Sequence, residues 1–268
     1  MSRLAMKFGY DGATFHGLAR QPGLRTIEGE VVKALSGAYA VRDIRTSRFQ
    51  SASRTDRGVS ALGNVVAFDS SLEPIATIRA FNRKARGVWA WAVAEVPPSF
   101  NPRHARERWY EYCLPGTHDE DRLAEALRAF VGEHDFANFT RGRERSVLKI
   151  DSACARRKSS SIILEFRAPR FAWNLVRRFV AAALYVESGA GSVRDLERAL
   201  EPGTRSDFGL ASPQPLVLVD VLYDFPFTSV WDPTTEERVQ RILTDRLRDA
   251  SFYGHLADRF GKDGSAVR

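Results

Sequence analysis

Apolar residues along this chain recur at two spacings, and the points where one spacing gives way to the other mark out its elements. Leu4 to Tyr10 reads as a strand closed by Asp11-Gly12, a strong turn signal, and Phe15, His16 and Gly17 follow in a loop that reaches Gln21-Pro22-Gly23. Thr26 offers an N-cap with Glu28 and Glu30 in the first turn, and Ile27, Val31, Ala34 and Leu35 repeat at helical spacing before Gly37 stops them. Strand character returns from Thr46 to Ala52 and from Gly63 to Asp69. A helix is predicted behind Pro74, from Ile75 to Ala85, and then a strand from Val88 to Val96 with Trp89 and Trp91 on one side of a period-two pattern. Pro97 to Arg106 carries Pro, Asn and Arg without periodicity, which suits a connection between two lobes.

Beyond it, Trp109 to Leu114 reads as a strand and Asp119 to Gly132 as a helix with Leu123, Ala126, Leu127 and Phe130 on one face. Val147 to Arg157 and Ile162 to Arg167 read as paired strands joined at Lys158-Ser159-Ser160. Phe171 to Ser188 reads as a long helix. Its apolar positions (Leu175, Val176, Phe179, Val180, Ala183, Leu184) outnumber what one exposed face needs, so it should lie buried, with Arg177 and Arg178 as exceptions. A helix from Val193 to Leu200, an irregular stretch from Gly203 to Pro215, a strand from Leu216 to Tyr223 and a charged amphipathic helix from Thr235 to Ala250 complete the chain, whose last residues should fray. Strands and helices with hairpin-like strand pairs argue for α+β. The expected organisation is an N-terminal lobe over 1–100, a C-terminal lobe over 101–225 and a helical extension over 226–268.

Charge narrows the partner. The 268 residues carry a net charge of +7, and a pI near 9.7 favours a polyanion, because Lys and Arg bind phosphates with release of counterions. Arginines cluster near aromatics: Arg103, Arg106 and Arg108 beside Trp109 and Tyr110; Arg141, Arg143 and Arg145 after Phe139; Arg170, Arg177 and Arg178 around Phe171 and Trp173. Such clusters suit stacking on unpaired bases, although each could equally be a solvated face. No apolar run approaches the ~20 residues of a membrane span and no leader pattern opens the chain, so a soluble cytoplasmic protein is expected. The only cysteines, Cys113 and Cys154, have no partner at metal spacing and are expected to be buried as small hydrophobes.

Familiar catalytic signatures are missing: there is no Gly-x-Ser-x-Gly, Walker loop or dinucleotide fingerprint. His16 and His104 lie in polar loops and could touch phosphate. What remains is Ser53-Arg54-Thr55-Asp56-Arg57-Gly58-Val59, a carboxylate between two arginines in a loop between strands. The flanking guanidinium groups could hold Asp56 ionised and fixed in direction. Thr-Asp-x-Gly is also ordinary turn chemistry, with Asp bonding backbone two residues on and Gly supplying a left-handed conformation.

From about Leu4 to Tyr223 the chain resembles the TruA-type tRNA pseudouridine synthases. Arg54-Thr55-Asp56-x-Gly58-Val59 is similar to their Gly-Arg-Thr-Asp-Ala-Gly-Val-His loop, and Tyr10-Asp11-Gly12 with Phe15-x-Gly17 to their first strand and turn. Tyr110 matches the first Tyr of a Tyr-x-Tyr strand downstream of a Phe100 segment. Phe171 through Val176-Arg177 resembles their Phe-x-x-x-x-Val-Arg helix, and Leu216-Val217-Leu218-Val219 their closing strand. Ser53, Arg57, Ser60 and Pro215-Leu216-Val217 depart from the pattern, which bears on RNA contacts more than on the carboxylate. The resemblance implies a pseudouridine synthase fold, two α/β lobes sharing a mostly antiparallel sheet around a basic cleft. It also implies isomerisation of uridine on the 3′ side of the tRNA anticodon stem-loop by a homodimer. Breaking the C1′–N1 bond, turning the uracil and rejoining it through C5 adds no atoms, so neither cofactor nor metal is demanded. Asp56 would attack C1′ or abstract the 2′ proton. Arg54 would fill the place of the extruded base, Tyr110 would stack on the uracil, and Leu216 would wall the pocket or simply be core. Arg177, a costly charge on an apolar helix, would pair with Asp56 or snorkel to the helix surface.

Overall fold

The structure is a computed structural model that describes residues 1–140 and 146–259. Arg141, Arg143 and Arg145 therefore lie outside the described residues, as does the expected frayed end beyond 259.

In chain order the first half contains strand β1 (Ser2–Tyr10), helix α1 (Ile27–Gly37), strands β2 (Gln50–Ser51) and β3 (Ser60–Ser70), helix α2 (Pro74–Lys84) and strand β4 (Val88–Glu95). The second half contains β5 (Glu107–Pro115), α3 (Glu120–Arg128), β6 (Gly132–Asp135), β7 (Val147–Ile150), β8 (Ser152–Lys158), β9 (Ser161–Ala168), α4 (Leu175–Glu187), α5 (Val193–Leu200), β10 (Leu216–Leu222) and β11 (Thr228–Ser229). A nine-stranded sheet of order β11-β4-β1-β3-β10-β5-β9-β8, with β2 on β3, runs through both halves, and β6 and β7 pair apart from it. This is the expected α+β architecture with one shared sheet. Neighbours are antiparallel except at the seam, where β10 meets β3 in parallel through Val217 opposite Ser60 and Leu218 opposite Ala61. Parallel pairing there brings the segments that precede both strands to the same edge of the seam.

Met1–Ser229 forms one compact unit and Val230–Arg268 a second. The second holds helix α6 (Pro233–Arg259), longer than the pattern from Thr235 to Ala250 predicts; the Asp232 carboxylate accepts from the Thr235 N–H at 3.0 Å and its hydroxyl at 2.7 Å.

Local rules account for most of the first unit. Thr26 caps α1 by accepting from the Gly29 N–H, Asp119 caps α3 from Arg122, and Pro74 opens α2, where its missing N–H costs nothing. Helices α1 and α2 pack together and α2 lies on β4, whereas α3 lies on β8 and α4. Phe179 of α4 stacks on Phe130 at 4.2 Å and is ringed by Phe136, Phe139 and Phe166, which explains why α4 is apolar over more than one face.

Five expectations need correction. The stretch from Thr46 is a strand only at Gln50–Ser51: the Thr46 and Ser47 hydroxyls bond back to the carbonyls of Asp43 and Ile44, which closes a turn instead. The helix after Asp119 ends at Arg128, and Gly132, at φ 110°, starts β6. The strand from Val147 divides at Asp151, so that β7 pairs with β6 and β8 with β9. Helix α4 starts at Leu175 rather than Phe171, because Asn174 adopts a left-handed conformation at φ 65°. Cys113 and Cys154 are also only half-buried, though burial still pushes the Cys154 thiol pKa up.

Candidate active site

The loop from Ala52 to Val59 enters the seam just before β3, and the protein holds it by its inward-facing residues. The Thr55 hydroxyl shares a buried 2.8 Å hydrogen bond with the Tyr10 hydroxyl, and the Thr55 carbonyl accepts from the Leu18 N–H at 3.2 Å. Asn64 donates to the Ser53 carbonyl at 2.9 Å. Two glycines permit the close approach: a Cβ at Gly12 would sit 2.0 Å from the Val59 carbonyl oxygen, and Gly58 takes φ +89° against Pro213, from the segment before β10.

Residues alternate along this loop, with Ser53 and Thr55 buried, Arg54 and Arg57 exposed, and Asp56 between the two. Among the described residues no hydrogen bond or ion pair holds Arg54 or Arg57. The expectation that these neighbours fix Asp56 is therefore corrected. Fixed inward contacts on both sides of Asp56 turn the adjacent arginines outward, and the carboxylate is met from helix α4 instead. Arg177 Nη1 donates to Asp56 Oδ2 at 2.9 Å, while its Nε donates to the Ala211 carbonyl at 2.8 Å. Trp173 Nε1 donates to Asp56 Oδ1, also at 2.9 Å. The pairing alternative for Arg177 holds in the structure. The turn is present too, through the Val59 N–H and Asp56 carbonyl at 3.2 Å, but it uses the backbone and leaves the carboxylate for other partners.

Tyr110 lies on β5 with its ring edge-on to Phe171 at 5.3 Å. Burial is the main cause that pushes its phenol pKa up to about 12; the Arg108 charge and a Ser53 hydrogen bond oppose this, and the Asp56 charge adds to it. Leu216 is buried on β10 opposite Tyr112, two residues along the same face of β5 from Tyr110. Thus Asp56, Arg177 and Tyr110 come together, Leu216 flanks them, and Arg54 stands on the loop's solvent side.

Two residues near the loop escaped the sequence reading of the site. Trp173 appears in the pattern only as one aromatic among arginines. Arg108, grouped there as a possible RNA contact, is 6% exposed and bonded wholly to protein. It donates to the Ser53 hydroxyl at 2.9 Å, to the Ala52 and Arg103 carbonyls at 3.0 Å each, and to the Pro169 carbonyl. Burial without a carboxylate partner lowers its pKa, and its guanidinium ties the loop to the segment between β4 and β5 and to the end of β9. Nothing in the sequence around Arg108 sets it apart from the solvated arginines beside it. Among the described residues no group of three His, Cys, Asp or Glu side chains could hold a metal ion, and no helix is long and apolar enough to cross a membrane.

Comparison with known proteins bears on this arrangement directly. The sequence signature of a family described as tRNA pseudouridine synthase matches residues 126–224. A tRNA pseudouridine synthase A of Pyrococcus abyssi is 40% identical over 263 residues, covering 95% of this chain and 97% of its own. Those of Thermococcus sibiricus, at 38% over 251 residues (92% and 94%), and Methanothermobacter thermautotrophicus, at 34% over 269 residues (93% and 98%), are similar throughout as well. The chain belongs to the tRNA pseudouridine synthase family. It is accordingly an isomerase of the class that acts on tRNA uridine. The family signature spans α4, the Arg177 helix, and β10, the strand of Leu216, while the similarity to whole relatives takes in the Asp56 loop.

Proposed function

We propose that this pseudouridine synthase isomerises uridine in the anticodon stem-loop of tRNA, with Asp56 as its catalytic carboxylate and the target base extruded from its stack. The observation that carries this reading is the setting of Asp56: a carboxylate on an anchored loop, donated to on both oxygens, between two exposed arginines. A protein that only bound polyanions would have little use for a carboxylate there. Glycoside hydrolysis usually takes two carboxylates, because a water must be activated and a leaving group protonated. Here uracil departs as a stabilised anion and the same base is rejoined through C5, so one carboxylate suffices, whether it attacks C1′ or takes the 2′ proton.

Extrusion of a stacked base costs a few kcal/mol. Arg54, outward-facing and planar, is suited to occupy the vacated place, which a Lys could not fill as well. Tyr110 would stack on the uracil with its hydroxyl near the leaving atoms, and Leu216 would supply an apolar wall. On the strength of the resemblance we read the enzyme as a cytoplasmic homodimer that needs no cofactor. The test is incubation of the purified protein with unmodified tRNA, without added cofactor, followed by chemical labelling and primer extension. Pseudouridine on the 3′ side of the anticodon stem-loop is expected. Product confined to another region would overturn the target assignment, and no product on any tRNA would overturn the activity.

A further inference from the structure

Between the loop that precedes α1 and the turn that precedes β2 lies a cavity of about 410 Å³, lined by Arg20 and Glu28 and by Ile44, Arg45, Arg48 and Phe49. None of these residues contacts Asp56, yet the cavity is tied to its loop. The Glu28 N–H donates to the Leu18 carbonyl at 2.9 Å, and the Leu18 N–H donates to the Thr55 carbonyl at 3.2 Å, one residue before Asp56. The turn itself is held in an uncommon shape. Arg48 adopts φ 50°, a left-handed conformation rare for a side chain of its size. It clamps the Asp69 carboxylate through Nε at 2.7 Å and Nη2 at 2.8 Å, and its Nη1 donates to the Pro98 carbonyl at 2.8 Å.

Arg48 is thereby satisfied by protein, but Arg20 and Arg45 are not. Their backbone N–H groups bond Glu28 Oε2 at 3.1 Å and Asp43 Oδ1 at 2.9 Å. Their side chains are exposed, and among the described residues neither guanidinium has a hydrogen bond or an ion pair. Two free guanidinium groups beside one cavity suit a phosphate. The rest of the lining serves no phosphate. Ile44 and Phe49 are half-buried and apolar, and among the described residues Phe49 meets no other aromatic ring and Glu28 Oε1 has no donor. An aromatic ring and an open carboxylate oxygen match the two parts of a base, its π-face and its N–H edge. We propose that this cavity seats one unpaired nucleotide of the bound tRNA, other than the target uridine, with its phosphate on Arg20 and Arg45 and its base on Phe49.

The inference rests on the proposed function in taking tRNA as the substrate, and its two parts separate by salt, because phosphate contacts release counterions. Filter binding of tRNA from low to moderate salt would be combined with single-turnover rates on saturating RNA. Replacing both arginines, Arg20→Ala with Arg45→Ala, removes no side-chain bond of the described structure and should leave the fold intact. It should reduce the slope of log affinity against log salt by about 0.7, the share of one phosphate on an unpaired strand. Phe49→Leu keeps an apolar side chain and loses the ring, so it should weaken binding about fivefold or more with the slope unchanged. The saturated rate should change little in either variant, since these side chains touch neither Asp56 nor its donors. An unchanged slope in the arginine variant would overturn the phosphate contact, and wild-type affinity in Phe49→Leu would overturn the base seat. Loss of saturated rate with affinity intact would overturn both, because the segment would then act only through the catalytic loop. Should Phe49→Leu not fold, photo-cross-linking of the wild-type complex decides: tRNA should mark the peptide that carries Phe49, and cross-links confined to other peptides would overturn the base seat. Whether the wild-type protein makes pseudouridine is read separately; its failure to do so would remove the proposed function, while slope and cross-link still test the cavity.

Discussion

At the scale of single residues, the chemistry turns on what faces Asp56. Asp56→Asn keeps the shape of the side chain and an oxygen for Trp173, but sets an amide against Arg177 and removes the nucleophile or base. Isomerisation should be abolished while tRNA affinity stays within a few fold, and loss of the ion pair should cost on the order of 1–3 kcal/mol, read by denaturant unfolding. Measurable turnover would show that Asp56 is not the catalytic group. Tyr110 supplies a second expectation. Its pKa stands at about 12 in the fold against 10.0 for the free phenol, so between those values the unfolded chain has lost a proton that the folded chain keeps. Its contribution is whole below about pH 10 and disappears as pH rises to about 12, a loss on the order of 2–3 kcal/mol. Unfolding of Tyr110→Phe should consequently fall less steeply over that range than unfolding of the wild type; equal slopes would mean that the phenol is not held neutral. Of these contacts, the pairing of Arg177 was legible in sequence, because an arginine on an apolar helix needs a partner. Arg108 and Trp173 were not. Their partners lie 55 and 117 residues away, and nothing in the local pattern distinguishes a guanidinium bonded to carbonyls from one in solvent.

Among the elements, those governed by local rules were the most legible: α1 between Thr26 and Gly37, α2 behind Pro74, and α5, whose predicted bounds of Val193 and Leu200 are the observed ones. Elements shaped by tertiary contacts were less so, and α4 is the informative case. Its apolar spacing carries back toward Phe171, so periodicity alone extends the helix by a turn. Asn174 stops it there and lets Trp173 point at Asp56. Asn tolerates the left-handed region better than most residues, and Gly tolerates it best. Asn174→Gly should therefore fold and turn over nearly as well as the wild type. Asn174→Val, β-branched at φ 65°, should lose about 1–2 kcal/mol. It should also lose rate out of proportion to RNA affinity, since Trp173 and Arg177 would leave the carboxylate together. Thermal unfolding and single-turnover kinetics of the pair check this, and equal behaviour of the two variants would mean that the left-handed entry has no part in placing the site.

For the molecule as a whole, the sheet brings two halves of the chain together at one parallel seam, and the loop carrying Asp56 is mounted at that seam with its arginines outward. That the halves share a sheet was implied by resemblance, since strand order cannot be read from strand spacing. The net charge of +7, by contrast, is plain in the sequence, and it predicts an affinity for tRNA that falls steeply with salt as phosphates exchange counterions for arginine. Arg57 makes that expectation local. It stands next to Asp56, is exposed, has no ion pair among the described residues, and occupies the place where the motif this loop resembles has Ala. If it meets a phosphate, Arg57→Ala should reduce the slope of log affinity against log salt by about 0.7–0.9, the share of one phosphate contact. The rate of isomerisation on saturating RNA should change little, because Arg57 touches neither the carboxylate nor its two donors. A titration between low and moderate salt distinguishes the outcomes: an unchanged slope would place Arg57 away from the RNA, and a fall in saturated rate with the slope intact would mean that it acts through the loop that holds Asp56.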